Sequence, residues 1–107
     1  MLTLKTYVDH TGKSIFNDWL EALRDTQARA RIDVRLNRLA NGLAGDAKVV
    51  GQGVTELRID WGPGYRVYFA RDGAAVVLLL CGGDKRTQKK DIEHAIDYWK
   101  DYQARRD

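Results

Sequence analysis

The sequence predicts an α+β fold, with helices packed on a mainly antiparallel sheet in the order β-α-α-β-β-β-α. Three observations carry this. Apolar residues recur at spacings of three and four in two adjacent segments of the first half and again near the C-terminus. Between them the period drops to two in "VTELRIDW" and "YRVYF". The run Val76–Cys81 is apolar without alternation, as a strand covered on both faces requires. Helices and strands in separate blocks, rather than strict βαβ alternation, place the chain in the α+β class.

The elements follow in order. "LTLKTYVDH" alternates weakly and predicts a first strand over about Thr3 to Val8, broken by His10, Thr11 and Gly12. Ile15, Phe16, Trp19, Leu20 and Leu23 form one helical face, with Ser14 as N-cap. After Arg24, Asp25 and Thr26, a second helix carries Ile32, Leu36, Leu39 and Leu43 on one stripe and ends at Gly42 and Gly45, so the pair is a helical hairpin. In the next strand Leu57, Ile59 and Trp61 point to the core and Glu56, Arg58 and Asp60 away from it. A turn at 62–64 sets Trp61 opposite Tyr65, Arg58 opposite Tyr68 and Asp60 opposite Arg66, with the two arginines diagonal. Asp72 and Gly73 turn the chain into the apolar strand. Gly82 and Gly83 read as a hinge that lets the backbone bend and approach a ligand. Ile92, Ala95, Ile96 and Trp99 then define a last helix with Thr87 at its N-cap.

Composition bounds the function. At 107 residues the chain suits one domain, 1–107. Its 18 basic and 15 acidic residues leave a net charge of +3, too small to identify nucleic-acid binding without the placement of the bases. A lone cysteine, Cys81, reads as a small buried hydrophobe in a reducing compartment. No apolar stretch approaches the roughly 20 residues that span a bilayer, and the N-terminus lacks a signal-peptide core, so a cytoplasmic protein without membrane contact is expected. The two histidines are far apart, carboxylates do not cluster, and no phosphate-loop or metal motif occurs, which argues against metal hydrolysis and calls for no cofactor.

The bases fall in four groups. Arg31, Arg35 and Arg38 form a stripe on the second helix, which reads as a solvated face or as a set of nucleic-acid contacts. Lys48 precedes the second strand. Arg58 and Arg66 lie mid-strand on the polar sheet face beside Tyr68. They either pair with Glu56 or Asp60, or offer a surface for phosphates and stacked bases. Exposed pairs contribute only about 0–1 kcal/mol, which favours the second reading. Lys85 and Arg86 flank the start of the last helix, whose free N–H groups favour an anion. Lys89 and Lys90 follow as backbone contacts or solvated helix.

Together, "IFNDWLEALRD", "ELRI", "GPGYRVYF" and "GGDK" followed by "TQ" and "DI", in this order and spacing, resemble the RelE/ParE toxin superfamily of bacterial type II toxin–antitoxin modules, and within it the HigB-like addiction module killer proteins. The likeness runs from about Tyr7 to Trp99. It implies the fold order above and a metal-independent, ribosome-dependent mRNA endoribonuclease that arrests growth. It also implies a cognate HigA-like helix-turn-helix antitoxin, with operator DNA bound only through the toxin–antitoxin complex. By position, Arg66 matches the strand arginine used against the scissile phosphate. Lys85 falls in the loop after the last strand, where members place a further catalytic basic residue, with Arg86 as the register alternative. Arg58 and Lys48 fall near second-strand basic residues of such enzymes. The chain lacks the C-terminal histidines of some members, and Tyr98 and Tyr102 do not match the tyrosine of others, which leaves Tyr68 as the stacking candidate. A ParE-like gyrase inhibitor and a non-catalytic nucleic-acid-binding module are the alternatives.

Overall fold

A computed structural model of the protein describes residues 1–106. Its order is β1 (Thr3–Thr6), α1 (Ile15–Ala22), α2 (Thr26–Ala40), β2 (Ala47–Gly51), β3 (Val54–Ile59), β4 (Tyr65–Asp72), β5 (Val76–Gly83), a short 3-10 turn (Lys85–Thr87) and α3 (Gln88–Arg105). The five strands form one sheet in the order β1-β5-β4-β3-β2. β1 runs parallel to β5, and every other pair is antiparallel. The class is therefore the predicted α+β, with one strand more than the sequence suggested. The additional strand is β2, which contains Lys48: the sequence pattern sets this segment ahead of the second strand, but Gly51, Gln52 and Gly53 all adopt positive φ and fold β2 back on β3.

Helix ends follow local chemistry. Ser14 Oγ accepts from the Asn17 N–H, and the Asp25 carboxylate accepts from the N–H groups of Gln27 and Ala28, starting α1 and α2. α2 stops at Asn41, where the Leu43 N–H donates to the Arg38 carbonyl at 2.8 Å and Gly42 has φ +83°. Leu43 thus lies beyond the helix and is exposed, while Ile32, Leu36 and Leu39 are buried as the stripe predicts.

Two apolar clusters sandwich the sheet. On one face Leu57, Ile59, Val67, Phe69, Val77 and Leu79 pack on Phe16 of α1 and on Ile32, Leu36 and Leu39 of α2. On the other, Val54, Tyr68, Ala70, Leu78 and Leu80 pack on Ala95 and Trp99 of α3. The expectation of an open polar face on β3 and β4 therefore fails: α3 covers it, and Glu56 beneath is 0% exposed. β5 is interior and buried on both faces, as its unbroken apolar run requires. No helix among the described residues is long and apolar enough to cross a membrane.

Candidate functional site

The ends of β3, β4 and β5 meet at one end of the sheet. In the β3–β4 register Arg58 stands directly opposite Arg66, Leu57 opposite Val67 and Glu56 opposite Tyr68. This is two residues short of the predicted pairing. Trp61 has left the strand: the Gly64 N–H donates to the Trp61 carbonyl at 3.1 Å, and the Trp61 indole N–H donates to Asp25 at 3.0 Å. The turn thus consumes Asp60 to Gly64, and the arginines become direct rather than diagonal neighbours. Asp60 does not pair with Arg66.

Like charges placed directly across a ladder repel, and a buried carboxylate resolves this. Glu56 Oε1 accepts from Arg58 Nε at 2.9 Å. Glu56 Oε2 accepts from the Tyr68 hydroxyl at 3.1 Å and from Gln88 Nε2 at 2.8 Å. Arg66 Nε lies 3.4 Å from the same oxygen, near enough to pair but not aligned to bond, and is the one buried side-chain polar atom without a hydrogen-bond partner among the described residues. Arg66 Nη1 donates to the Gly64 carbonyl at 2.8 Å. Burial alone would raise the Glu56 carboxyl, but bonds from Arg58, Gln88 and Tyr68 and the Arg66 charge outweigh it and hold the group below its ordinary value. Glu56 and Gln88 are the residues that sequence reasoning missed. Glu56 was seen only as one alternative partner. Its position opposite Tyr68 is the signal that a correct register would have supplied.

The glycine pair is not a hinge. Gly82 and Gly83 are the last residues of β5, and neither has positive φ. They are small because both faces are crowded. A Cβ on Gly82 would come within 2.5 Å of three atoms of the Trp19 ring, and one on Gly83 would run into the Asp91 carboxylate. The chain turns only at Asp84, which accepts from the Arg86 N–H at 2.8 Å and caps the 3-10 turn. Asp84, not Thr87, supplies the cap. Thr87 Oγ1 instead donates to Asp91 at 2.5 Å. Burial raises the Asp91 carboxyl against the lowering effect of that bond.

Each predicted cation has a definite place. The Lys85 side chain flanks Gly64: a Cβ on Gly64 would lie 3.6 Å from Lys85 Cβ and 3.2 Å from Arg66 Nη1. Lys85 is exposed and, among the described residues, engages no acidic group within 4 Å. Arg86 is 81% exposed and folds back on Asp84 at 3.0 Å, so its charge is partly neutralised. Lys48 faces Glu56 across β2–β3 and is exposed at the sheet edge, and Lys89 is exposed on the first turn of α3. The arginine stripe of α2 divides. Arg35 donates to the carbonyls of Arg58, Ala44 (3.0 Å) and Asp46 (3.2 Å), clipping the helix to β3 and the loop before β2; it is a structural clip rather than a free nucleic-acid contact. The Arg31 guanidinium sits 3.9 Å over the Trp61 ring. Arg38 alone of the three is exposed without such a partner, at the rim of a groove of about 550 Å³ between α2 and the end of β3.

Tyr68 is not the expected stacking platform. It is 0% exposed, its hydroxyl is spent on Glu56, and burial beside that carboxylate drives its ionisation far upward. No base reaches its ring. Cys81 is buried with its thiol pushed up to about 12 by desolvation, as an inert packing residue would be. Among the described residues, no three His, Cys, Asp or Glu side chains gather in a way that could hold a metal ion.

This constellation lies within a recognised family. The family model described as "Phage derived protein Gp49-like" matches residues 18–100, taking in the C-terminal part of α1, all of α2, the arginine strands and most of α3. An uncharacterized protein of Haemophilus influenzae is 51% identical over 80 residues, covering 75% of this chain and 81% of that protein. The match spans every element that builds the sheet end, and the chain belongs to the phage-derived Gp49-like family, which is associated with the toxins of toxin–antitoxin modules.

Proposed function

We propose that this protein is a toxin that cleaves mRNA on the ribosome and is neutralised by a cognate helix-turn-helix antitoxin of the HigA type. The observation that carries this is the direct opposition of Arg58 and Arg66 at the sheet end where Lys85 abuts Gly64. The two guanidiniums carry one positive charge more than Glu56 neutralises, and Lys85 adds another.

In the proposed reaction the mRNA 2′-oxygen attacks the adjacent phosphorus and the bond to the 5′-oxygen breaks. The products are a 2′,3′-cyclic phosphate and a 5′-hydroxyl. Negative charge grows on the non-bridging oxygens, where Arg66 and Arg58 stabilise it; removing one such donor costs about 10²–10³-fold in rate. Lys85 protonates the departing 5′-oxygen, and solvent takes the proton of the 2′-hydroxyl. With no protein group assigned as general base for the 2′-hydroxyl, orientation of the substrate by the ribosome supplies much of the acceleration. Lys48, Lys89 and Arg86 are outlying contacts to the RNA backbone.

A second reading also has an observation behind it. Arg58 and Arg66 are internally paired, as they would be in a ParE-like gyrase inhibitor that keeps them only for its fold. Primer extension on translated mRNA separates the two. Wild type is expected to give cuts within codons, and Arg66→Ala and Lys85→Ala to lose them by about 10²-fold. Uncut mRNA with accumulating gyrase–DNA breaks would overturn the ribonuclease reading.

A further inference from the structure

We infer that Glu56 is a positioning residue: it holds Arg58 and Arg66 in place for the proposed cleavage and, through Gln88, fixes the Lys85 loop beside them. The inference rests on the ribonuclease reading above. Glu56 is wholly buried and so cannot touch RNA itself. A carboxylate offers about four acceptor sites, and here three take hydrogen bonds, from Arg58 at one oxygen and from Tyr68 and Gln88 at the other, with the Arg66 charge 3.4 Å from the second oxygen.

What the carboxylate leaves free is equally informative. It takes the Nε side of each arginine. The Gly64 carbonyl takes Arg66 Nη1, so Arg66 Nη2 and both Nη groups of Arg58 have no protein acceptor among the described residues. Two long side chains of like charge on facing strand positions would otherwise splay apart. Held by a hydrogen bond at Arg58 Nε, and at Arg66 by the carboxylate's charge and the Gly64 carbonyl, they keep their remaining donors at fixed spacing. Donors fixed before the reaction need no reorganisation when charge develops on a phosphate.

Gln88 extends the same control to the third cation. It is the first residue of α3 and follows directly on the turn that carries Lys85. Its amide on Glu56 therefore sets that turn against the arginines. Three elements, β3, β4 and α3, are referred to one carboxylate.

The test uses the toxin purified as its antitoxin complex and then freed. Arginine Nε–H exchange and cleavage on programmed ribosomes are measured for wild type, Glu56→Gln, Gln88→Leu and Tyr68→Phe. Wild type is expected to show two slowly exchanging arginine Nε–H signals that disappear singly in Arg58→Lys and Arg66→Lys. In Glu56→Gln the Arg58 signal, hydrogen-bonded to Glu56 in the wild type, should exchange at least tenfold faster. Cleavage at saturating ribosomes should fall at least thirtyfold with KM changed less than twofold, after correction for folded protein by antitoxin titration. In an Arg58→Ala/Arg66→Ala background, Glu56→Gln should cost nothing further, because its effect passes through those side chains.

Unchanged Nε–H exchange in folded Glu56→Gln, or a cleavage loss that persists in the double-alanine background, overturns the inference. If Glu56→Gln fails to fold, Gln88→Leu and Tyr68→Phe carry the test. Each removes one neutral donor and leaves the arginine pairs, so at least one must speed Nε–H exchange severalfold, and unchanged exchange in both overturns it. Absence of cleavage in wild type refutes the ribonuclease reading instead. The exchange data then show separately whether Glu56 orders the arginines.

Discussion

Gly82→Ala is the sharpest test of why the sheet end has the shape it has. A methyl group at Gly82 would lie within 2.5 Å of Cδ2, Cε3 and Cζ3 of Trp19. Carbon atoms pack at about 3.5–4.0 Å, so the indole must retreat by roughly 1 Å or the strand must move. The ring is not free to swing. It packs on Phe16 at a centroid distance of 5.9 Å and edge-on to Tyr65 at 6.3 Å. Overpacking of this kind costs about 1–3 kcal/mol. A clash this close against a fixed ring belongs in the upper part of that range, about 2–3 kcal/mol, and alanine recovers roughly 0.5–1 kcal/mol of the entropy that glycine wastes in a strand, which leaves a net loss of about 1–2 kcal/mol. For a chain of this size that is a fall in Tm of roughly 5–15 °C. Urea unfolding should show a lower midpoint at unchanged slope. A Trp19→Leu background should shrink the penalty, since the two sites interact through the same space. If Gly82→Ala stays within about 0.5 kcal/mol of wild type, or if its cost is the same in the Trp19→Leu background, the packing argument fails. A glycine needed only for approach to a ligand would behave that way.

Two further outcomes follow from groups already described. Arg35→Ala should destabilise the fold by about 1–3 kcal/mol by releasing three carbonyls, whereas Arg38→Ala, one turn on and exposed, should stay within about 0.5 kcal/mol. Equal costs in urea unfolding would refute the division of that stripe. The Glu56 carboxyl, held below its ordinary value in the folded state, contributes stability that is fully present above its unfolded pKa and is lost as pH falls through the folded one. Wild type should therefore lose stability with acid more steeply than Glu56→Gln below about pH 4.5, and parallel acid limbs would contradict the assignment.

The sequence carries the fold because each element satisfies a local rule. The stripes of α1 and α3, the Ser14 cap and the alternation of Leu57, Ile59, Val67 and Phe69 are all visible at short range, and all are realised. What failed needed information from elsewhere in the chain. The β3–β4 register depended on Trp61 leaving its strand to reach Asp25, 36 residues away. The open polar face depended on where α3 lands, and alternation alone cannot distinguish a face covered by solvent from one covered by a helix with a polar anchor such as Gln88. Tyr68 was misjudged for that reason, and Glu56 was overlooked for the same one. Gly82 and Gly83 show a third limit. Glycine in a sequence signals either freedom of φ or want of space, and only neighbours from α1 and α3 decide between them.

The buried charge cluster is the part of the molecule that stability explains least. Taking ions out of water costs several kcal/mol each even after relaxation, and replacing a buried ion pair by apolar side chains of similar volume is often neutral or stabilising. The site around Glu56 is suited to such a replacement, because Val54, Tyr68 and Trp99 already make this face an apolar cluster. A leucine at 56 with apolar residues at 58 and 66 would complete it. The chain instead buries a carboxylate, saturates it with donors from two strands and a helix, and leaves Arg66 Nε without a hydrogen bond. An arrangement whose stability apolar side chains of similar volume often match or exceed, and that still fixes two cations at facing strand positions, is best accounted for by the cations themselves. On the ribonuclease proposal, their spacing relative to a bound phosphate is what the cluster preserves. On that proposal the core beneath α3 and the surface beside Lys85 form one device, and substitutions at Glu56 or Gln88 belong with those of Arg58, Arg66 and Lys85 rather than with those of the core.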